Sequence, residues 1–255
     1  MNVESRPDPV RPRRIRATSS RRPRVTGPDD ALAARLAEAA RVLQDEPGLD
    51  ATLDGIVRCA VGTVPGAWHA AITEVEGRHR VVTSAATGNL ARRVDQAQYD
   101  TGQGPCLTAL FEHRTVRMPD VAAETRWPEF VRRIDGLGVR SMLSFQLYLA
   151  RDSLGALNLY AREPGAFTDE SERVGVLFAA HAAVAMGNAR KLAQLSQALD
   201  VRDLIGQAKG ILMERHRLTG EQAFALLVRA SQRLNVKLLD VARDLIETGE
   251  LVDVP

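Results

Sequence analysis

The chain predicts an α+β fold in two parts. An antiparallel sheet with flanking helices comes first, and a long helix joins it to a small three-helix bundle. Three observations carry this reading. Two pairs of β-rich runs, Trp68–Val75 with Arg80–Ala85 and Val139–Leu149 with Leu154–Ala161, are joined by tight turns at Glu76-Gly77 and Arg151-Asp152-Ser153. Thr168 precedes Asp169 and Glu170, an N-cap followed by acids that suit the positive end of a helix. The last sixty residues, Ser196 to Pro255, repeat apolar positions at helical spacing three times.

Taken in order, Asp30 caps a first helix running to about Glu46, with Leu32, Leu36, Ala39, Ala40 and Leu43 on one face and Pro47-Gly48 as its stop. A second helix spans roughly Asp50 to Val61. The first hairpin follows. A variable middle then holds a loop, Thr101-Gly102-Gln103-Gly104-Pro105-Cys106, leading into a short helix to about Glu112. Thr115–Met118 reads as a short strand and Trp127–Asp135 as a helix, before the second hairpin and the long helix. In the C-terminal segment, Leu204, Ile205, Ala208, Ile211, Leu212 and Arg215 share one arc of a helix. Leu218-Thr219-Gly220 breaks it, and Thr219 with Gln222 three residues on forms a capping box. The next helix turns Ala223, Phe224, Leu227, Val228, Ala230, Ser231 and Leu234 inward and Gln222, Arg229 and Arg233 outward, and Asn235 ends it in the αL region. Leu238, Val241, Ala242, Leu245 and Ile246 make the last stripe, closed by Gly249.

Composition narrows the class. The 255 residues have room for two modest domains, and 45% hydrophobic content allows a real core. No apolar run is long enough to span a membrane and the N-terminus shows no signal-peptide h-region, so a cytoplasmic protein is expected. The two cysteines, Cys59 and Cys106, suit a reducing compartment better than a disulfide framework. The net charge of +2 hides an asymmetry, because residues 1–28 carry eight Arg against Glu4 and Asp8. That Arg-, Pro- and Ser-rich tail is expected to be disordered, either adding non-specific nucleic-acid affinity or serving only as a leader.

The C-terminal segment resembles the ANTAR domain, a three-helix module of RNA-binding transcription antiterminators. The resemblance rests on Ile205-Gly206-Gln207-Ala208-Lys209-Gly210-Ile211-Leu212-Met213, Leu218-Thr219-Gly220-Glu221-Gln222-Ala223-Phe224, Arg229-Ala230-Ser231, Asn235 and Val241-Ala242. Residues 29–167 with the start of the long helix resemble a GAF sensor domain, through Gly102-Gln103-Gly104-Pro105-Cys106, Met118-Pro119-Asp120, Arg140-Ser141-Met142-Leu143-Ser144, Leu154-Gly155-Ala156-Leu157-Asn158-Leu159 and Phe167-Thr168-Asp169-Glu170. The order GAF then ANTAR resembles actinobacterial regulators. The resulting division is a tail at 1–28, a GAF domain at 29–167, a linking helix at 168–199 and an ANTAR domain at 200–255.

The resemblance implies binding to RNA hairpins in mRNA leaders, as a homodimer, with a small-molecule ligand of unknown identity on the GAF domain and no membrane. Charge tests this directly. Residues 196–255 hold eight Lys/Arg and nine Asp/Glu, but Lys209, Arg215, Arg217, Arg229, Arg233 and Lys237 face only Glu214 and Glu221 between positions 209 and 237. Lys209, Arg215, Gln222, Arg229, Arg233 and Lys237 are therefore the candidate RNA contacts. Unpaired loop bases are the expected target, since A-form helices hide their base edges. Phe224, the one aromatic residue of this segment, is read as inward, so basic contacts rather than stacking are expected. Gly206 and Gly210 cost helix stability, and close approach of another helix is the favoured reason for Gly210. The alternative function is a ligand-sensing or protein-interaction GAF module without RNA binding.

Along the long helix Ala185, Leu192 and Leu199 recur every seven residues, with His181, Asn188, Leu195 and Arg202 at the other seam position. This predicts a parallel dimer seam through Ala185, Leu192, Leu195 and Leu199, against packing of a lone helix onto the sheet. Cys106, just inside a helix start, is a candidate ligand or redox site, with buried packing the favoured reading. His69, His79, His113, His181 and His216 show no metal-ligand spacing, His113 being the weak candidate for a haem ligand. No catalytic constellation, nucleotide fingerprint or receiver-type acid set is present, so no enzyme is expected. Sulfoxide-reductase chemistry of the GAF type needs more reactive cysteines than two.

Overall fold

The computed structural model describes residues 28–77, 80–112, 115–149 and 152–251. The Arg-rich segment 1–27, His79, His113 and Arg151 of the second hairpin turn lie outside the described residues.

Helices α1 (Pro28–Asp45) and α2 (Leu49–Thr63) lead into strands β1 (His69–Glu76) and β2 (Arg80–Ala86). Helix α3 (Asn89–Thr101), α4 (Pro105–Glu112), β3 (Val116–Met118) and α5 (Pro128–Ile134) follow, then β4 (Ser141–Leu149) and β5 (Asp152–Ala161). Helices α6 (Asp169–His216), α7 (Gly220–Leu234) and α8 (Leu238–Thr248) complete the chain.

The sheet runs β2-β1-β5-β4-β3, every neighbouring pair antiparallel. It is covered on both faces, so β4 is buried at almost every position rather than alternately. One face turns Ile72, Leu143, Phe145, Leu157 and Leu159 toward α1, α2 and the first half of α6, where Phe178, Ala182 and Met186 meet them. The other turns Ala71, Met142 and Tyr160 toward Val94 of α3 and Phe130 and Ile134 of α5.

Helix α3 occupies the stretch left unassigned between the first hairpin and the Thr101–Cys106 loop. Its buried positions Ala91, Val94, Asp95 and Gln98 follow helical i, i+3, i+4, i+7 spacing with Ala97 buried beside them, but two of the five are polar and the rest are small or β-branched, so an apolar stripe is not visible in the sequence. Gly102, with φ of 63°, ends the helix in the left-handed region. Gly104 is required for a different reason: a Cβ there would lie 2.4 Å from the Gln98 Oε1, which reaches beneath it.

Helix α6 starts at a complete capping box between Thr168 and Ser171 and continues for 48 residues, roughly 70 Å. The expected boundary at 199–200 therefore falls inside one uninterrupted helix, which serves as both the last helix of the sheet domain and the first of the bundle. Neither Gly206 nor Gly210 breaks it. From Lys191 to Asp200 every residue of this helix is exposed, between a half packed on the sheet domain and a half packed on α7 and α8.

Candidate nucleic-acid interface and a buried polar cluster

The bundle core is small: Ala208 and Leu212 of α6, Ala223, Leu227 and Ala230 of α7, and Val241, Ala242 and Leu245 of α8. The turns that close it have specific chemistry. The Thr219 hydroxyl accepts from the Gln222 amide at 3.3 Å while the Gln222 side-chain oxygen accepts from the Thr219 amide at 2.9 Å. Arg217 and Asn235 both adopt left-handed backbone conformations, with φ of 53° and 52°.

The six candidate contacts do not form one patch. Arg215 donates to the Gly249 carbonyl and so caps the C-terminal end of α8. The Gln222 oxygen is committed to the capping box. Lys237 stands at the N-cap of α8 and its carbonyl receives the Asp240 and Val241 amides. Arg229 and Arg233 are exposed on α7, and Arg229, five residues beyond Phe224, lies about 140° around the helix from it. Lys209 is on the Phe224 side: its Nζ lies 3.5 Å from where a Cβ on Gly220 would stand.

Phe224 corrects the inward reading. It is 42% exposed, as is Leu234 at 39%, while Ala223, Leu227 and Ala230 are buried. The buried line of α7 is narrow, with Ala223, Leu227 and Ala230 its buried members, and Phe224 sits about a quarter turn away. Its ring stands between two shallow hollows. Arg202, Gly206 and Lys209 of α6 line one, and Lys209, Gly220 and Glu221 line the other. Gly206 and Gly210 have nothing within 4 Å of where a Cβ would be, so no helix of this chain makes the close approach expected at Gly210.

The expected seam residues divide. Ala185 is half-buried against the sheet-domain core. Leu192, Leu195 and Leu199 are 67%, 55% and 58% exposed on the bare segment of α6. Val184, Ala185, Leu192 and Leu195 line an apolar groove whose other wall includes Ala40 and Leu43 of α1.

In the sheet domain, α3 and α4 press a polar cluster onto the middle of the sheet. Asp95 is fully buried. Its Oδ1 accepts from the Asn158 amide at 3.1 Å, the Gln98 amide at 3.2 Å and the Tyr160 hydroxyl; its Oδ2 accepts from Thr83 at 3.0 Å. Burial pushes its carboxyl up to about 7, against the pull of the Tyr160, Thr83 and Asn158 donors and of Arg92. Arg92 itself donates to the Thr83 carbonyl at 2.8 Å. Tyr99 bridges Thr73 and Thr83 at 2.7 and 2.9 Å, and burial, then the nearby Asp95 charge, raise its hydroxyl above the ordinary phenol range. Cys106 is fully buried; its thiol donates to Thr73 Oγ1 at 3.3 Å and its backbone amide donates to the Gln98 side-chain oxygen at 2.8 Å. Burial, then the Asp95 charge, push its thiol up to about 12, so it stays protonated at neutral pH despite its helix-start position. Asn158 Oδ1 is buried without a hydrogen-bond partner among the described residues.

Sequence reasoning singled out Cys106 here and missed Asp95, Tyr99, Asn158 and Tyr160. The signal available was the helical spacing of residues 91, 94, 95 and 98. Among the described residues no group of three or more His, Cys, Asp or Glu is placed to hold a metal ion, and no helix is long and apolar enough to cross a membrane.

Comparison with known proteins matches residues 46–187, more than half of the chain, to the GAF domain family, and residues 193–246 to the ANTAR domain. No curated protein matches the chain. Among solved structures, the photosensory core module of a Stigmatella aurantiaca phytochrome matches with 13% identity and a TM-score of 0.56, over 87% of this chain and 47% of that one. Free methionine-R-sulfoxide reductase from Neisseria meningitidis, solved with its substrate, matches with 18% identity and a TM-score of 0.52, over 63% and 91%. A GAF domain from a Coxiella burnetii phosphoenolpyruvate-protein phosphotransferase matches with 18% identity and a TM-score of 0.50, over 64% and 96%. At these identities the likeness concerns the fold alone.

Proposed function

We propose, for a chain that belongs to the GAF domain family and ends in an ANTAR domain, that it is a transcription antitermination regulator: its GAF domain senses a small molecule and controls a dimer of ANTAR domains that bind paired hairpins in nascent mRNA leaders. The observation that carries this reading is α6. One helix of 48 residues is packed into the sheet domain at its start and into the bundle at its end. A displacement at the sheet is thereby transmitted to the bundle without a flexible joint.

The bare segment of that helix supports the dimer. Leu192, Leu195 and Leu199 expose apolar surface at seam spacing, and a second copy of the helix covers it. Two ANTAR domains held together in this way gain apparent affinity for a hairpin pair through effective concentration. The weakly acidic balance of residues 196–255 favours the other reading, a sensing or protein-interaction module without RNA. Crosslinking the protein to RNA in cells and sequencing what is recovered separates the two. Recovery of a recurring double hairpin in mRNA leaders is the expected result. RNA recovery no greater than for an unrelated protein contradicts it.

A further inference from the structure

The seam stripe of α6 changes character partway along. Leu192 and Leu199 continue at seven-residue intervals to Gly206 and Met213, and Leu195 continues to Arg202, Lys209 and His216. The apolar run Leu192, Leu195 and Leu199 gives way to Arg202 and Lys209 with Gly206 between them, before Met213 resumes an apolar position. A parallel pair of helices kept in contact here would bring Arg202 and Lys209 against the same residues of the second copy, a like-charge arrangement that costs stability. The stripe instead suits an anion. It also carries an aromatic ring, because Phe224 of α7 stands beside Gly206 and Lys209 with 42% of its surface exposed.

We infer that the cleft between Phe224 and the Arg202–Gly206–Lys209 stripe holds one unpaired base of an RNA loop, stacked on the Phe224 ring, with its flanking phosphates on Arg202 and Lys209. The inference rests on the RNA-binding reading above. Three features converge on it. The exposed phenyl ring offers a sequence-tolerant stacking face, the usual device of single-strand recognition. Gly206 leaves the helix backbone open beside that ring, with nothing within 4 Å of the missing Cβ. A glycine within a helix is destabilising relative to alanine, and no packing within this chain accounts for it. The two cations lie seven residues apart on one face of α6, about 10 Å along the helix, on either side of the bare position. Among the described residues lining the two hollows, Glu221 is the one acid, and it belongs to the hollow away from Gly206.

The test uses the full chain and a hairpin RNA carrying 2-aminopurine at successive loop positions. Binding of the parent protein is expected to quench the fluorescence at one position, as stacking on a ring does. Phe224→Leu should lose that quenching and bind roughly tenfold or more weakly, and Phe224→Tyr should retain both. Gly206→Ala is the second variant. It removes no contact and should raise the melting temperature by a few degrees while weakening binding. If Phe224→Leu melts early, Gly206→Ala still decides the matter. A parent that binds without quenching at any loop position, or Phe224→Leu and Gly206→Ala proteins that bind as the parent does, overturns the stacking cleft while leaving RNA binding intact. A parent that binds no hairpin overturns the RNA reading itself. A change of either variant from dimer to monomer by light scattering shows that a second copy covers the cleft, and overturns the proposal as well.

Discussion

The two halves of the molecule treat charge and aromatic surface in opposite ways. In the sheet domain a carboxylate is taken out of water and surrounded: Asp95 receives Tyr160, Asn158, Gln98 and Thr83, and its neighbours Tyr99 and Cys106 are tied to Thr73. In the bundle, Arg202, Lys209 and Phe224 are left at the surface beside bare helix backbone. A buried polar cluster holds a conformation only if nearly every member is partnered, so it fixes α3 and α4 on the sheet and responds sharply to losing one proton or one side chain. An exposed cationic cleft contributes little to folding and keeps its interactions for a ligand. On the function proposed above, this difference suits control in one region and recognition in the other, with α6 between them.

The largest effect should come from breaking the closed cluster. Asp95→Ala leaves the Tyr160, Thr83, Asn158 and Gln98 donors without their acceptor in a dry site. At about 1–3 kcal/mol per abandoned group, even partial rearrangement leaves a loss of several kcal/mol. A thermal melt should show the sheet domain unfolding much earlier or failing to fold; a normal melt would mean the cluster contributes little.

Next in size is the pH response of the same site. Asp95 goes from an ordinary value of 3.8 to about 7 in the folded protein, so the folded state holds its proton more tightly. Stability from this group is therefore fullest below pH 4 and falls as pH rises toward 7, beyond which the contribution is flat. The size is bounded at about 4 kcal/mol. Tyr99, Tyr160 and Cys106 stay neutral throughout that window, all three being raised. Urea unfolding at pH 5 and pH 8 should show a parent stabilised at the lower pH relative to Asp95→Asn, which keeps the shape without the titration. Equal pH dependence in both proteins would remove Asp95 as its source.

A smaller effect on stability but a clear one on assembly is expected from the bare segment of α6. Leu192→Asp with Leu195→Asp should halve the mass by light scattering, leave each copy folded, and weaken binding to a paired hairpin by about a hundredfold through lost effective concentration. An unchanged mass would place the dimer contact elsewhere.

Much of this architecture was legible in the sequence, and the gaps have physical causes. Thr168 and Thr219 announced their helices because capping is local chemistry between a hydroxyl and an amide three residues on. The strands were legible from their β-rich runs, although Asp152 and Ser153, read as turn, belong to β5 and pair with Leu149 and Tyr148. Helix α3 was not, because its inward face carries Asp95 and Gln98, and burial of polar groups depends on donors from strands far away in the chain. The long joining helix was legible, and the division at 199–200 falls inside it because a domain boundary in sequence need not be a break in backbone hydrogen bonding. Phe224 was misassigned because hydrophobicity was taken to mean burial. Its exposure follows from how narrowly α7 packs between α6 and α8, which the periodicity of one helix does not specify. The basic residues were visible one by one, but their separation onto two flanks of the bundle was not.

That separation supplies the most direct measurement. Arg202→Ala with Lys209→Ala, and Arg229→Ala with Arg233→Ala, should be compared in salt titrations of hairpin RNA binding, each beside a thermal melt. If the α6 stripe beside Phe224 is the RNA surface, the first pair flattens the dependence of log affinity on log salt by about 1.5, as two phosphate contacts require, and the second pair leaves most of the slope in place. A slope that falls only with Arg229 and Arg233, in proteins that melt normally, would place the RNA on the opposite flank and contradict the account.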